Sequence, residues 1–174
     1  MSHSVDIRDV LKERIIVFDG AMGTSIQNLN LTADDFGGLK YEGCNEHLVL
    51  TKPEVIETIH RNFFDAGADV VETNTFGGTG IVLAEYELSD RAYDINKSAA
   101  EIARKAAEHY SSSDKPRFVA GSMGPTTKAI SVTGGVTFQE LIGNFFEQAK
   151  GLIAGGVDVL LLETCQDTRN VKAG

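Results

Sequence analysis

A unit that occurs twice in the chain places the strongest constraint on its fold. The segment AGADVVETN at 66–74 recurs as GGVDVLLLETC at 155–165, with glycine, aspartate, an apolar run and then Glu-Thr. Each copy follows a segment whose apolar side chains repeat at helical spacing. The sequence therefore predicts a repeated helix, glycine turn and buried strand, which is the building unit of a parallel α/β sheet.

The segments around the two copies extend this pattern. Pro53 and a capping box of Thr51 and Glu54 predict the start of one helix, and Gly67 predicts its end. Further helices are predicted at about 91–110 and 138–153. Strands are predicted at about 14–18, 69–73, 117–121 and 158–163. We expect these strands to be parallel and adjacent in sequence order, joined by right-handed crossovers.

Acidic side chains follow three of these four strands. Asp19, Glu72 and Glu163 stand at strand ends, and the carboxyl ends of parallel strands meet on one rim of a sheet. A single acid in this position is often a helix cap or a turn residue. Three neighbouring acids repel one another unless a cation, either an ammonium group or a metal ion, neutralises them. Long connections after the first and third strands, the latter at 125–138, also favour a binding site here.

Charge and cysteine content exclude several classes of partner. With 25 acidic and 16 basic side chains the net charge is −9, which disfavours nucleic acid. No apolar run is long enough for a membrane span or resembles a signal peptide, so we expect a cytoplasmic protein without a membrane partner. Cys44 and Cys165 fit neither a disulfide framework nor a metal motif and are expected to be reduced. The histidines show no metal spacing, and His60 is predicted on the polar face of its helix.

Five ordered motifs carry a resemblance to a known family. They are FDGAMGT, GCNEHLVLTKPEVI, AGADVVETNTFGG, AGSMGPTT and GGVDVLLLETCQDT, and they extend from about residue 11 to residue 174. The sequence resembles the homocysteine-binding domain of cobalamin-dependent methionine synthase, within the homocysteine S-methyltransferase family. Relatives that take methyl groups from betaine or S-methylmethionine share this domain type, but NEHLVLTKPEVI and NTFGG are more similar to the cobalamin-dependent enzymes.

The resemblance implies an α/β fold, the (β/α)₈ TIM barrel, that binds zinc and homocysteine. In that family a zinc-activated thiolate takes the methyl group of methylcobalamin. The family's zinc ligands are three cysteines on later strands, and this chain has no counterpart of them. Residues 1–174 are therefore interpreted as the first four β/α units of a truncated barrel, with cobalamin bound by other domains. We expect such a fragment to bind zinc weakly and to perform no methyl transfer alone.

The same resemblance implies roles for residues on the rim. Asp19 and Glu163 would hold the α-ammonium group of homocysteine, and Gly20 would let backbone N–H groups approach the ligand closely. The resemblance implies that Glu72, Asn74 and Thr75 line the same rim. It assigns no catalytic residue and no metal ligand to this chain.

Other interpretations fit the same residues. One is a non-catalytic half-barrel that dimerises through the unpaired edges of its first and fourth strands. Another is a homocysteine methyltransferase that does not use cobalamin, and a third is an unrelated open α/β domain with a different ligand on the rim. A mass measurement in solution identifies the dimer, and the identity of the rim ligand separates the other two.

Overall fold

The secondary structure is taken from a computed structural model of the chain, which describes residues 5–130 and 133–174. The α-helices in these ranges are Ile7–Glu13 (α1), Met22–Gln27 (α2), Leu48–Thr51 (α3), Pro53–Asp65 (α4), Gly80–Leu83 (α5), Ala92–Tyr110 (α6), Phe138–Ala154 (α7) and Thr168–Ala173 (α8). The strands are Val70–Glu72 (β1), Phe118–Met123 (β2) and Val159–Leu162 (β3). Residues 131 and 132, in the long connection predicted at 125–138, lie outside the described ranges.

The strands form a parallel sheet in the order β1-β2-β3, as predicted. The strand predicted at 14–18 is wrong in extent, because it contributes a single parallel bridge between Phe18 and Val70. The Val17 N–H donates to the side chain of Asp69 at 3.0 Å instead of to a strand carbonyl, which interrupts a regular ladder. The four segments nevertheless run parallel and follow one another in sequence order.

The aspartate that is repeated in the segments 66–74 and 155–165, called the echo segments below, has a structural role. Asp69, before β1, accepts the Val17 N–H of the segment before it, and Asp158, before β3, accepts the Val119 N–H of β2 at 2.7 Å. Each aspartate also pairs with an arginine side chain. The repeat therefore encodes two functions: its aspartate anchors the amino end of a strand to its neighbour, and its glutamate ends the strand at the rim.

Helices cover one face of the sheet, and α1 covers part of the other. Val71 and Val119 point towards α4 and α6, where they pack with Phe64 and a row of buried alanines on α6. On the opposite face Val70 and Phe118 pack with residues that include Ile7 of α1. The alanine-rich face of α6 is thus a packing surface, as its sequence predicts.

The helix ends confirm some local signals and correct others. α4 begins at Pro53 as predicted, but Lys52 occupies its N-cap position without a side-chain hydrogen bond. The predicted capping box of Thr51 and Glu54 is wrong, because Thr51 is the last residue of α3. A capping box is found in α7 instead, where Thr137 and Glu140 accept hydrogen bonds from each other's backbone N–H groups.

The prediction for His60 is also wrong. Its side chain is fully buried, and neither ring nitrogen has a hydrogen-bond partner among the described residues. Burial lowers the pKa of His60 to about 4, so the ring is neutral at pH 7. Ile56 and Phe64, each four residues from His60, are buried on the same helix, so His60 lies within the buried face of α4.

Gly143 is expected to be replaceable with a gain in stability. It lies on the exposed side of α7, where a Cβ atom would meet nothing within 4 Å. Gly143→Ala should raise the free energy of unfolding by about 0.5–1 kcal/mol, because alanine loses less backbone entropy in a helix.

Gly155→Ala is the matched control for this prediction, since a Cβ atom there would lie 2.4 Å from the carbonyl oxygen of Lys97 on α6. This substitution should lower stability. Denaturant unfolding measures both variants, and a destabilising Gly143→Ala would contradict the prediction.

Apolar side chains are exposed along both edges of the sheet. Ile15 is 87% and Val17 is 55% exposed at the first edge, and Leu160 of β3 is 43% exposed at the other. Unpaired strand edges with apolar neighbours are surfaces that proteins usually cover. Within the described ranges, no helix has the length and apolar character needed to cross a membrane.

Candidate substrate site at the strand ends

A cavity of about 390 Å³ opens at the carboxyl ends of the strands. Its lining includes all the residues predicted for the rim, which are Asp19, Gly20, Glu72, Asn74, Thr75 and Glu163. Two of these, Glu72 and Glu163, come from equivalent positions of the two echo segments. The parallel order of the strands therefore brings these distant positions of the chain to one place.

Asp19 is held at the end of the first segment by the neighbouring strand. Both oxygens of its carboxylate accept the backbone N–H of Glu72, at 3.0 and 3.1 Å. Burial raises the pKa of Asp19, the charges of Glu72 and Glu163 add to the rise and the Glu72 N–H opposes it, with a net pKa of about 7. The Asp19 carboxyl group is therefore poised between its charged and neutral forms near neutral pH.

Glu72 and Glu163 face each other across the end of β2. The pKa of Glu72 is raised by burial, by the charge of Glu163 and by a hydrogen bond between the two side chains. The Ser122 hydroxyl, at the end of β2, donates to Glu163 Oε1 at 2.5 Å. Thr164, which follows Glu163, has a φ of 53°, a value that costs energy for a β-branched residue. Such strain is concentrated at functional sites.

Asn74 and Thr75 line the cavity, but their side chains already form hydrogen bonds within the protein. The Asn74 amide donates to the carbonyl oxygen of Asn45 at 2.7 Å. The Thr75 hydroxyl donates to the carbonyl oxygen of Ser122 at 2.7 Å, and Thr75 is fully buried. These contacts shape the cavity wall, so the structure gives both residues a supporting position there.

Glu46 also lines the cavity, although the sequence patterns give it no role. Its Oε1 accepts the Gly77 N–H at 2.8 Å, and burial raises the pKa of its carboxyl group. A Cβ atom on Gly77 would lie 2.8 Å from the same oxygen, so a larger residue there would displace the Glu46 carboxyl group from this position. Glu46 is part of the GCNEHL motif, but the motif does not reveal its role, because that role depends on a contact with Gly77 in a distant loop.

The carboxyl groups of the cavity lack a cationic partner among the described residues. None of the lysine, arginine and histidine side chains in residues 5–130 and 133–174 forms an ion pair with Asp19, Glu46, Glu72 or Glu163. The same ranges contain no group of three histidine, cysteine, aspartate or glutamate side chains arranged to hold a metal ion. An organic cation such as an ammonium group fits this lining better than a metal does.

A second cavity of similar volume lies between α2 and α4, away from the strand ends. It is about 390 Å³ and is lined largely by apolar side chains, among them Leu29, Val55 and Phe63. Glu54 is the one acidic side chain in its lining. It lacks the convergence of carboxylates that distinguishes the strand-end cavity.

Proteins with known names are similar to this chain in sequence. The model of the homocysteine S-methyltransferase family matches residues 16–174. Methionine synthase of Mycobacterium tuberculosis is 48% identical over 171 residues, and that of Mycobacterium leprae is 45% identical over the same length. These matches cover 98% of this chain but 14% of each relative.

Solved structures show the same fold. The metallated form of the homocysteine methyltransferase MmuM from Escherichia coli superposes with a TM-score of 0.77 at 23% identity, over 96% of this chain and 60% of that structure. Its apo form gives a TM-score of 0.70. Because the family model extends over nearly the whole chain, this chain belongs to the homocysteine S-methyltransferase family.

Proposed function

We propose that the strand-end cavity binds the amino-acid end of homocysteine in a protein that methylates homocysteine to methionine. The observation that carries this proposal is the convergence of Asp19, Glu72 and Glu163 without a described cationic partner. The α-ammonium group of an amino acid would neutralise this cluster through charge-assisted hydrogen bonds. The names of the relatives, methionine synthase and homocysteine methyltransferase, support the same substrate.

Asp19 and Glu163 are the proposed ammonium ligands, and Gly20 leaves room beside them. A Cβ atom on Gly20 would meet nothing within 4 Å, so the chain leaves open space where a ligand would approach the backbone. Glu72, Asn74 and Thr75 are proposed to form the wall around the bound amino acid. Methyl transfer then forms a bond between the methyl carbon and the homocysteine sulfur while the bond between that carbon and the methyl donor breaks. The electron pair of the broken bond stays on the donor, and the thiol proton passes to solvent.

The proposed methyl donor is methylcobalamin, on the basis of the motif resemblance. A donor that is independent of cobalamin is the alternative. The described residues do not fit a zinc site, so no step is assigned here to a metal. Incubating the full-length protein with homocysteine and either methylcobalamin or S-methylmethionine, and measuring methionine, tests the proposal. Methionine formed from neither donor would contradict it.

We also propose that these segments form the first part of a TIM barrel whose remaining units cover the exposed sheet edges. Ile15, Val17 and Leu160 are the apolar side chains that such units would bury. The chain spans 60% of the MmuM structure, which supports this reading. The same exposed edges favour a second candidate, a dimer that pairs through them. The mass of the full-length protein in solution distinguishes the two, since a completed barrel has no open edge.

The affinity for the amino-acid end is expected to depend on pH. A carboxylate binds an ammonium group in its charged form, and the pKa of Asp19 in the empty site is about 7. An α-amino group is largely protonated below this pH. Affinity should therefore fall as the pH decreases below about 7, by up to about tenfold per pH unit.

Titration with methionine at pH 8, 7 and 6 measures this dependence, because methionine has the same amino-acid end and no thiol to ionise. Asp19→Asn is the control, since its weaker affinity should change little over the same range. An affinity of the unmodified protein that stays constant or rises towards pH 6 would contradict the assignment.

A further inference from the structure

We propose that Ser122 is a positioning residue that aims the Glu163 carboxylate at the bound ammonium group. This inference rests on the proposed function. Ser122 is the second-last residue of β2, which lies between β1 and β3, and it is 2% exposed. Its hydroxyl has one hydrogen, which it donates to Glu163 Oε1.

A closed ring of hydrogen bonds fixes the backbone of Ser122. The Ser122 N–H donates to Thr73 Oγ1 at 3.0 Å, and Thr75 Oγ1 donates to the Ser122 carbonyl oxygen at 2.7 Å. The two threonine hydroxyls lie 2.6 Å apart. Because the Thr75 hydrogen is already donated to Ser122, Thr73 must be the donor between them. Every hydrogen in the ring is therefore assigned, and the end of β1 is locked to the end of β2.

Helix α7 holds the same ring from behind. Gln148 is fully buried, and its Nε2 donates to the carbonyl oxygens of Thr75 at 2.8 Å and Ser122 at 3.4 Å. Both strand ends are thus attached to one helix side chain. Neither Ser122 nor Gln148 needs to contact the ligand for this arrangement to affect binding.

The consequence is a preset position for one of the proposed ammonium ligands. The Ser122 hydroxyl donates to Glu163 Oε1, and Thr164 Oγ1 makes a longer contact of 3.5 Å with Oε2. The Glu163 carboxyl group also lies beside that of Glu72, and an ammonium group between them would replace this repulsive contact with charge-assisted hydrogen bonds. Fixing a flexible glutamate before binding removes an ordering cost, which corresponds to roughly a two- to tenfold gain in affinity.

The test compares two ligands that differ in the ammonium group alone. Ser122→Ala in the full-length protein should bind homocysteine two- to tenfold more weakly, and should bind 4-sulfanylbutanoate, which lacks the amino group, as well as the unmodified protein does. Thr126→Val is the control, because it removes a buried hydroxyl that bonds to Asn170 and Lys128. An equal loss for both ligands would overturn the inference and indicate a structural role.

A double-mutant cycle that combines Ser122→Ala with Glu163→Gln tests whether Ser122 affects homocysteine binding through Glu163. If Ser122 acts through Glu163, the double variant should bind homocysteine no more weakly than Glu163→Gln alone. Additive losses would overturn the inference. If Ser122→Ala does not fold, Gln148→Met can replace it in the comparison of homocysteine with 4-sulfanylbutanoate. We expect the same selective loss of homocysteine affinity, and an equal loss for both ligands would again overturn the inference. Failure of the unmodified protein to bind homocysteine would reject the proposed function itself, which is a separate outcome.

Discussion

Replacing Asp19 or Glu163 by its amide in the full-length protein is expected to weaken homocysteine binding by about ten- to a hundredfold. Each amide keeps the shape of the side chain but loses a charge-assisted hydrogen bond, worth roughly 1.5–3 kcal/mol. That free energy corresponds to the expected loss of affinity. The cavity geometry supports the choice of these two acids, because both line it and neither pairs with a described basic side chain.

Titration with homocysteine measures the effect, and Asp158→Asn provides a matched control. Asp158 precedes β3, whereas Glu163 follows it, so the control removes a carboxylate from the opposite end of the same strand. It should lower stability and leave homocysteine affinity unchanged. The metal content of the amide variants should also be unchanged. Unaltered affinity in both Asp19→Asn and Glu163→Gln would show that these acids are structural.

His60 is expected to make the protein sensitive to acid. Its folded pKa of about 4 lies below the ordinary value of 6.5, because burial disfavours the charged ring. The folded chain therefore binds fewer protons than the unfolded chain in this interval, and stability falls as the pH decreases from about 6.5 to about 4. At about 1.36 kcal/mol per pKa unit, the loss attributable to His60 is about 3 kcal/mol.

Denaturant unfolding of the protein and of His60→Leu at pH 7 and pH 4 isolates this contribution. Asp19 acts in the opposite direction, because its raised pKa makes stability fall as the pH increases towards 7. That effect is present in both proteins and cancels in the comparison. The variant should lose about 3 kcal/mol less than the unmodified protein between the two pH values. Equal losses would mean that the pKa of His60 is the same in the folded and the unfolded chain, as for a ring that is accessible to water.

Local signals were sufficient for the helices and strands of the echo segments. Gly155 is the C-cap of α7 and Gly156 has a φ of 92°, so the glycines mark the end of that helix by their conformation. The strands that follow are short apolar runs ended by an acid, and their parallel order follows from the intervening helices. Asp19, Glu72 and Glu163 were therefore predictable as neighbours from strand ends alone.

Features that depend on distant contacts were not predictable in this way. Glu46 reaches the cavity through the Gly77 N–H, and Ser122 matters because it lies beside Glu163, so neither has a local signature. The predicted strand at 14–18 forms a single bridge at Phe18, because the Val17 N–H donates to the side chain of Asp69. His60 is a different case, because its spacing of four residues from Ile56 and from Phe64 places it on the buried face of α4. The prediction followed the polarity of histidine instead of this spacing.

The central claim is that the strand-end cavity holds the amino-acid end of homocysteine, and a crystal structure of the full-length protein with homocysteine tests it most directly. We predict that the ammonium nitrogen lies within about 3.2 Å of carboxylate oxygens of both Asp19 and Glu163. The Ser122 hydroxyl should still donate to Glu163 in that complex. Homocysteine bound with its amino group elsewhere, or a strand-end cavity that excludes it at saturating concentration, would contradict the claim.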